Sequence, residues 1–184
     1  MFQNGTATGT ATRTGTPDIK ISDLRGGESS MASLETETTF NGSIESVFDA
    51  IRKYEKYPEY LPGVTRIDVL PAKEKGSVCQ VRYELNIVKT FYYVLNMYEE
   101  GPRKIWWTLA ESNILKGNNG SWTFKATKGS AKGSEKGKEK THASYKLDIK
   151  FKGLIPSAIT DQVAKANLPL MMTGFQKLID DSHR

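Results

Sequence analysis

One contrast most constrains what this chain can fold into. Between residues 64 and 151 several segments alternate between two faces with a period of two, most of them with one polar face, while from 156 to about 181 the period becomes helical. The clearest case is 78–87. There Cys79, Val81, Tyr83, Leu85 and Ile87 face one way, and Gln80, Arg82, Glu84 and Asn86 the other. Residues 144–151 repeat the pattern, with Tyr145, Leu147, Ile149 and Phe151 against Lys146, Asp148 and Lys150. Strands with one polar face leave one side of a sheet to water, so the other side must be covered. The only long apolar helix available for that is the last. The expectation is an α+β chain in which a curved antiparallel sheet wraps around a long C-terminal helix.

The remaining segments fit this frame. A short Thr-rich strand spans 34–40. Asn41-Gly42 turns the chain, and Ser43 can cap a helix running to about residue 53. Ile44, Val47, Phe48 and Ile51 fall on one face of it. A short helical piece at 54–61 breaks near Pro58 and closes at Pro62-Gly63. In 64–70, Ile67 and Val69 share a side. In 90–98, Phe91, Tyr93, Leu95 and Met97 oppose Tyr92, Val94, Asn96 and Tyr98. Gly101-Pro102 turns into 104–110, where Ile105, Trp107 and Leu109 share a face. Asn118-Asn119-Gly120 opens the next strand, with Trp122 and Phe124 together. In the last helix Ile159, Val163, Ala166 and Leu170 form a stripe beside Met171, Phe175 and Leu178. Pro169 lacks a backbone donor and should kink or split that helix. Short connections make neighbouring strands antiparallel.

This order is similar to the helix-grip fold of the START-like (SRPBCC) superfamily. Phe48-Asp49-Ala50-Ile51 followed by Tyr57-Pro58-Glu59-Tyr60-Leu61-Pro62 resembles the YPEFLP-type segment of its polyketide cyclase/dehydrase and coenzyme Q-binding families. Gly120-Ser121-Trp122-Thr123-Phe124 resembles their G-x-W-x-F strand. Asn167-Leu168-Pro169 with Met171 and Phe175 resembles the pattern of their last helix. The resemblance covers roughly 34–181. It implies a hydrophobic small molecule (a lipid, an isoprenoid quinone or a polyketide-like ring) held between sheet and helix.

The residues offer such a cavity a lining. Of 18 aromatic residues, 17 lie in 34–184. Tyr83, Tyr93, Trp107, Trp122 and Tyr145 fall on inner faces, where a buried O–H or N–H needs a partner that a ligand can supply. Leu95, Phe124, Met171 and Phe175 complete the expected ligand-binding set, and methionine adapts to irregular shapes. An aromatic and methionine stripe is more often a plain core.

Composition argues against strong catalysis. There is one cysteine, Cys79, and two histidines, His142 and His183. One thiol cannot form an internal disulfide, and three ligands fall short of a structural zinc site. Neither histidine is placed as a general base: His142 borders a charged stretch and His183 adjoins the C-terminus. No phosphate-binding glycine loop is present, because GSAKGSEKGK lacks the flanking strand and helix. Glu84 and Asp148 fall on outer faces. Glu111 or Asn113 near a strand end could move a proton, but nothing selects them. No catalytic residue, metal or cofactor is expected, and enzymatic activity stays open with a leaning against it.

Charge is local. The net charge is +5, and residues 125–140 hold six lysines and two glutamates of it. That stretch reads as a solvated loop that could meet a weak anionic partner, a protein or the ribosome. Nucleic acid is not expected, since arginine forks and interleaved aromatics are missing there. Residues 1–33 offer no apolar face and read as a disordered tail or leader, leaving 34–184 as the ligand-binding domain. No apolar run is long enough to span a bilayer, and a cytoplasmic chain is expected. Three functions follow: a carrier or binder of a hydrophobic ligand, a cyclase/dehydrase-type enzyme, or a contact module using the lysine-rich loop.

Overall fold

The structure is a computed structural model that describes residues 20–23, 31–86, 90–127, 139–153 and 168–182. Eight strands form one antiparallel sheet: β1 (Lys20–Asp23), β2 (Met31–Asn41), β3 (Val64–Leu70), β4 (Cys79–Asn86), β5 (Thr90–Glu100), β6 (Lys104–Ser112), β7 (Leu115–Thr127) and β8 (Lys140–Phe151). Their spatial order is β1-β2-β8-β7-β6-β5-β4-β3. The first long strand therefore pairs with the last, and β3 lies at the opposite edge. The helical segment between β2 and β3 spans that distance. It comprises α1 (Ile44–Ile51), a 3-10 turn (Tyr54–Lys56) and α2 (Tyr57–Tyr60). The C-terminal helix α3 (Leu168–Asp181) packs on β2, α1 and α2. This is the antiparallel sheet with a C-terminal helix that the periods predict, in the helix-grip arrangement that the resemblance implies.

Local chemistry explains the boundaries. Ser43 caps α1: its Oγ accepts from the Ser46 N–H at 3.2 Å. Val47, Phe48, Ala50 and Ile51 bury one face of α1. Pro58 sits in the first turn of α2, where its missing donor costs nothing. Gly63 then reverses the chain at φ +85°, a conformation costly for residues with a Cβ. One core joins these helices to the inner strand faces, including Phe40, Val81, Ile105, Ala143, Phe175, Leu178 and Ile179.

Several expectations change in detail. β2 begins at Met31, three residues before the expected strand, and its edge is paired by β1 from within the stretch read as a tail. Leu34 stands opposite Ile21 there, because an open strand edge offers unpaired backbone groups to any neighbouring segment. Val69 shares its side with Ile67 but is 49% exposed, since β3 is an edge strand. The outer face is not wholly wet. Gln80 Nε2 donates to Asn96 Oδ1 at 2.8 Å, and Asn96 Nδ2 donates to the Glu74 carboxylate, which buries both amides beside Val94. Asn118-Asn119-Gly120 lies inside β7 instead of opening it. The turn falls earlier, where Ser112 Oγ accepts from the backbone N–H of Ile114 and Leu115.

Leu170 is 55% exposed, not part of the apolar stripe. It lies five residues from the buried Phe175, roughly 140° around the helix, and Met172 takes a place in the core instead. Expectations for the rest of the 1–33 stretch, Ile87, residues 128–138, Pro156, Ile159, Val163, Ala166 and His183 lie outside the described residues. So does the question of a kink at Pro169, which turns on residues before Leu168.

Candidate functional site

A cavity of about 200 Å³ lies between the inner face of the sheet and the helices. Its walls come from successive elements. Ile51, Tyr57 and Leu61 contribute from the α1–α2 segment, and Met171 and Phe175 from α3. The sheet supplies Tyr83, Tyr93, Trp107, Trp122 and Tyr145 at its centre. Towards one end stand Pro62, Leu85, Phe91, Ile114 and Phe151, all at the end of a strand or in a turn.

Two aromatic groups shape it. Tyr83 and Tyr93 stack across β4 and β5 with ring centroids 4.9 Å apart. Trp122 contacts Tyr145 at 4.7 Å across β7 and β8, and meets Phe175 of α3 edge-on at 5.4 Å. Tyr57 packs edge-on against the same Phe175 at 5.3 Å, and its O–H donates to the Ile51 carbonyl at 2.6 Å. The YPEYLP segment thus anchors a buried tyrosine against both α1 and α3.

The G-x-W strand has a steric logic. Gly120 lies opposite Trp107 in the β6–β7 register. A Cβ at position 120 would stand 2.2 Å from the indole Cζ2, so only glycine lets that ring lie across β7. From there Trp107 Nε1 reaches Asn118 and donates to its Oδ1 at 2.9 Å. Asn118 stands opposite Ile149 on the inner face and lines the cavity.

The described lining holds no Asp, Glu, Lys, Arg or His. The tyrosine hydroxyls of Tyr57, Tyr83, Tyr93 and Tyr145 are held well above the usual phenol range by burial, which disfavours the phenolate. Each is therefore a neutral group at ordinary pH, able to donate or accept a hydrogen bond but not a ready base. Among the described residues the hydroxyls of Tyr83, Tyr93 and Tyr145 have no hydrogen-bond partner, and none of these oxygens is fully shut away from open space.

Of the residues expected to bind a ligand, Tyr83, Tyr93, Trp107, Trp122, Tyr145, Met171 and Phe175 come together around the cavity. Leu95 and Phe124 are buried in the same core but do not line it. Sequence reasoning missed Asn118, because its Asn-Asn-Gly context has turn chemistry. It also missed Ile51 and Tyr57, although the α1 stripe and the YPEYLP match pointed towards both. Glu111 and Asn113 lie away from the cavity: Glu111 accepts from the Tyr92 O–H at 2.9 Å, and Asn113 Oδ1 accepts from the Tyr92 N–H at 3.1 Å. Cys79 packs beside the core, and burial pushes its thiol up. His142 stands on the outer face, 3.7 Å from Glu37. No helix among the described residues is long and apolar enough to cross a membrane.

The pattern of the family described as polyketide cyclase / dehydrase and lipid transport matches residues 31–181. No curated protein matches the chain by sequence. Solved structures share its fold. A START superfamily protein from Mycobacterium smegmatis is 15% identical, with a TM-score of 0.64, over 84% of this chain and 99% of that one. The Zhui aromatase/cyclase from a Streptomyces species is 12% identical, with a TM-score of 0.60, over 84% and 94%. A conserved protein from Geobacillus kaustophilus is 15% identical, with a TM-score of 0.56, over 82% and 96%.

Proposed function

The chain belongs to the polyketide cyclase / dehydrase and lipid transport family, and from that premise we propose that it binds and carries a hydrophobic small molecule in the cavity between sheet and α3. The observation that carries this reading is an interior space of about 200 Å³ with an aromatic wall and no charged side chain in its described lining. Burial of apolar ligand surface supplies affinity at about 25 cal/mol per Å², and a few polar groups orient the bound molecule. A carrier suits this lining better than an enzyme. Acid-base catalysis is most effective with a group titrating near the working pH, and the cavity tyrosines are shifted away from it. The single cysteine needs no oxidising compartment, and we place the protein in the cytoplasm.

Native mass spectrometry of the protein isolated from its own host tests the reading. The expected result is a mass increment that disappears on denaturation and extracts into organic solvent. Protein that is wholly free of such an increment, and that takes up no apolar probe, would contradict it. Turnover of an added polyketide chain, lost on changing Tyr83, Tyr93 or Tyr145 to Phe, would instead favour a cyclase.

A further inference from the structure

The amide of Asn118, on the cavity wall, has its direction fixed by a neighbour. An indole N–H can only donate, so the oxygen of the Asn118 amide must be the atom that faces Trp107. That bond settles an orientation which is otherwise ambiguous for an amide. It leaves Nδ2, a donor, on the other side. Asn118 is only 4% exposed, lines the cavity, and its Nδ2 has no partner among the described residues. Nδ2 is not fully shut away from open space, so it is a free donor at the cavity wall, and an occupant that brings an acceptor gains a hydrogen bond there. The tyrosine hydroxyls do not discriminate in this way, because they rotate and both donate and accept.

Size and charge narrow the occupant further. A dry cavity of about 150 Å³ accommodates benzene, whereas drug-sized pockets begin at about 300 Å³. The volume here lies between the two. With no counter-charge in the described lining, an ionised ligand would lose its hydration without compensation. The stacked Tyr83–Tyr93 pair and the Trp122–Tyr145 contact present ring faces and edges, which suit a flat molecule.

Resting on the reading that the cavity binds a hydrophobic small molecule, we infer that its ligand is an uncharged one- or two-ring compound bearing a carbonyl-type acceptor, and that Asn118 Nδ2 donates to that oxygen. Trp107 is the positioning residue: it holds the amide so that the donor, not the acceptor, faces the ligand.

The test compares three probes of similar size by calorimetric titration: 1-tetralone, its hydrocarbon analogue tetralin, and the anion 1-naphthoate. The wild type is expected to bind the ketone about five- to tenfold more tightly than tetralin, as one neutral hydrogen bond supplies. Naphthoate should bind more weakly than either. In Asn118→Leu the ketone's advantage should fall to near unity while tetralin still binds. A ketone advantage that survives Asn118→Leu, or that is absent in the wild type, overturns the assignment of Asn118 but leaves hydrophobic binding intact. Naphthoate binding as tightly as the ketone overturns the uncharged class. If no probe binds, the broader reading falls as well.

A wild-type measurement covers the case in which the variant fails to fold. The Asn118 side-chain NH₂ resonances should move with tetralone and stay in place with tetralin. Resonances that ignore the ketone overturn the proposal.

Discussion

Trp107 lies directly across Gly120: a Cβ added at that glycine would stand 2.2 Å from the indole Cζ2 and 2.6 Å from the Lys146 carbonyl oxygen. The contact places the indole N–H on Asn118 and so builds the polar corner of the cavity. Gly120→Ala should therefore destabilise the protein by about 1–3 kcal/mol, the usual cost of overpacking. It should also weaken tetralone binding, because Trp107 must leave its seat. Chemical denaturation and calorimetry on the same variant check both effects.

Gly174 makes an equally close approach in α3. Its hypothetical Cβ would be 2.2 Å from the backbone oxygen of Tyr60. Alanine is favoured over glycine within a helix by about 1 kcal/mol, so an unconstrained Gly174→Ala would stabilise. Here the clash is with backbone, which no side-chain rotation relieves, and α3 must move off α2. The overpacking cost of about 1–3 kcal/mol outweighs the propensity gain, and the net change should be a loss. A raised denaturation midpoint would show that the two helices are not held this tightly.

Tyr57→Phe removes a single buried hydrogen bond, the one to the Ile51 carbonyl at 2.6 Å. The ring and its edge-on contact with Phe175 remain. The expected loss is about 1–2 kcal/mol, with the cavity unchanged in shape. Equilibrium unfolding should show this loss at an unchanged denaturant slope, since the surface exposed on unfolding does not change.

Alkaline pH should unfold the protein through its buried tyrosines. Tyr54, Tyr57, Tyr83, Tyr93 and Tyr145 are all held above the ordinary value of 10.0 by burial in the folded state. For groups raised on folding, the unfolded chain gives up its protons first. Stability is thus fully present below about pH 10 and falls as pH rises above it. Thermal melts from pH 7 to pH 12 should be flat with respect to these groups up to about pH 9.5 and drop steeply beyond it. Melts that decline through neutral pH would require a different titrating group.

Much of this architecture was legible in the residues. The alternation of Cys79, Val81, Tyr83 and Leu85 identified the inner face of β4, and Ser43 marked the start of α1, because both signals are local. Depth along a face is not local. Leu95 and Phe124 share the inner face with Tyr93 and Trp122 but pack away from the cavity, and only the positions of α1–α2 and α3 decide which residues meet open space. Leu170 misled because a helical stripe is wide and its centre is set by the partner surface. Asn118 was hidden by competing chemistry. Asn-Asn-Gly favours turns, yet strand pairing with β8 from Leu115 to Thr127 overrides that preference and turns the side chain inward.

The most direct test of a ligand site on the inner face uses the three tryptophans, which the fold divides between its faces. Trp107 and Trp122 line the cavity, whereas Trp106 stands on the outer face, stacked on Tyr98 at 5.4 Å. Titration with tetralone, followed through the assigned indole N–H resonances, should shift Trp107 and Trp122 and leave Trp106 in place. Shifts confined to Trp106, or none at any of the three, would contradict an interior binding site.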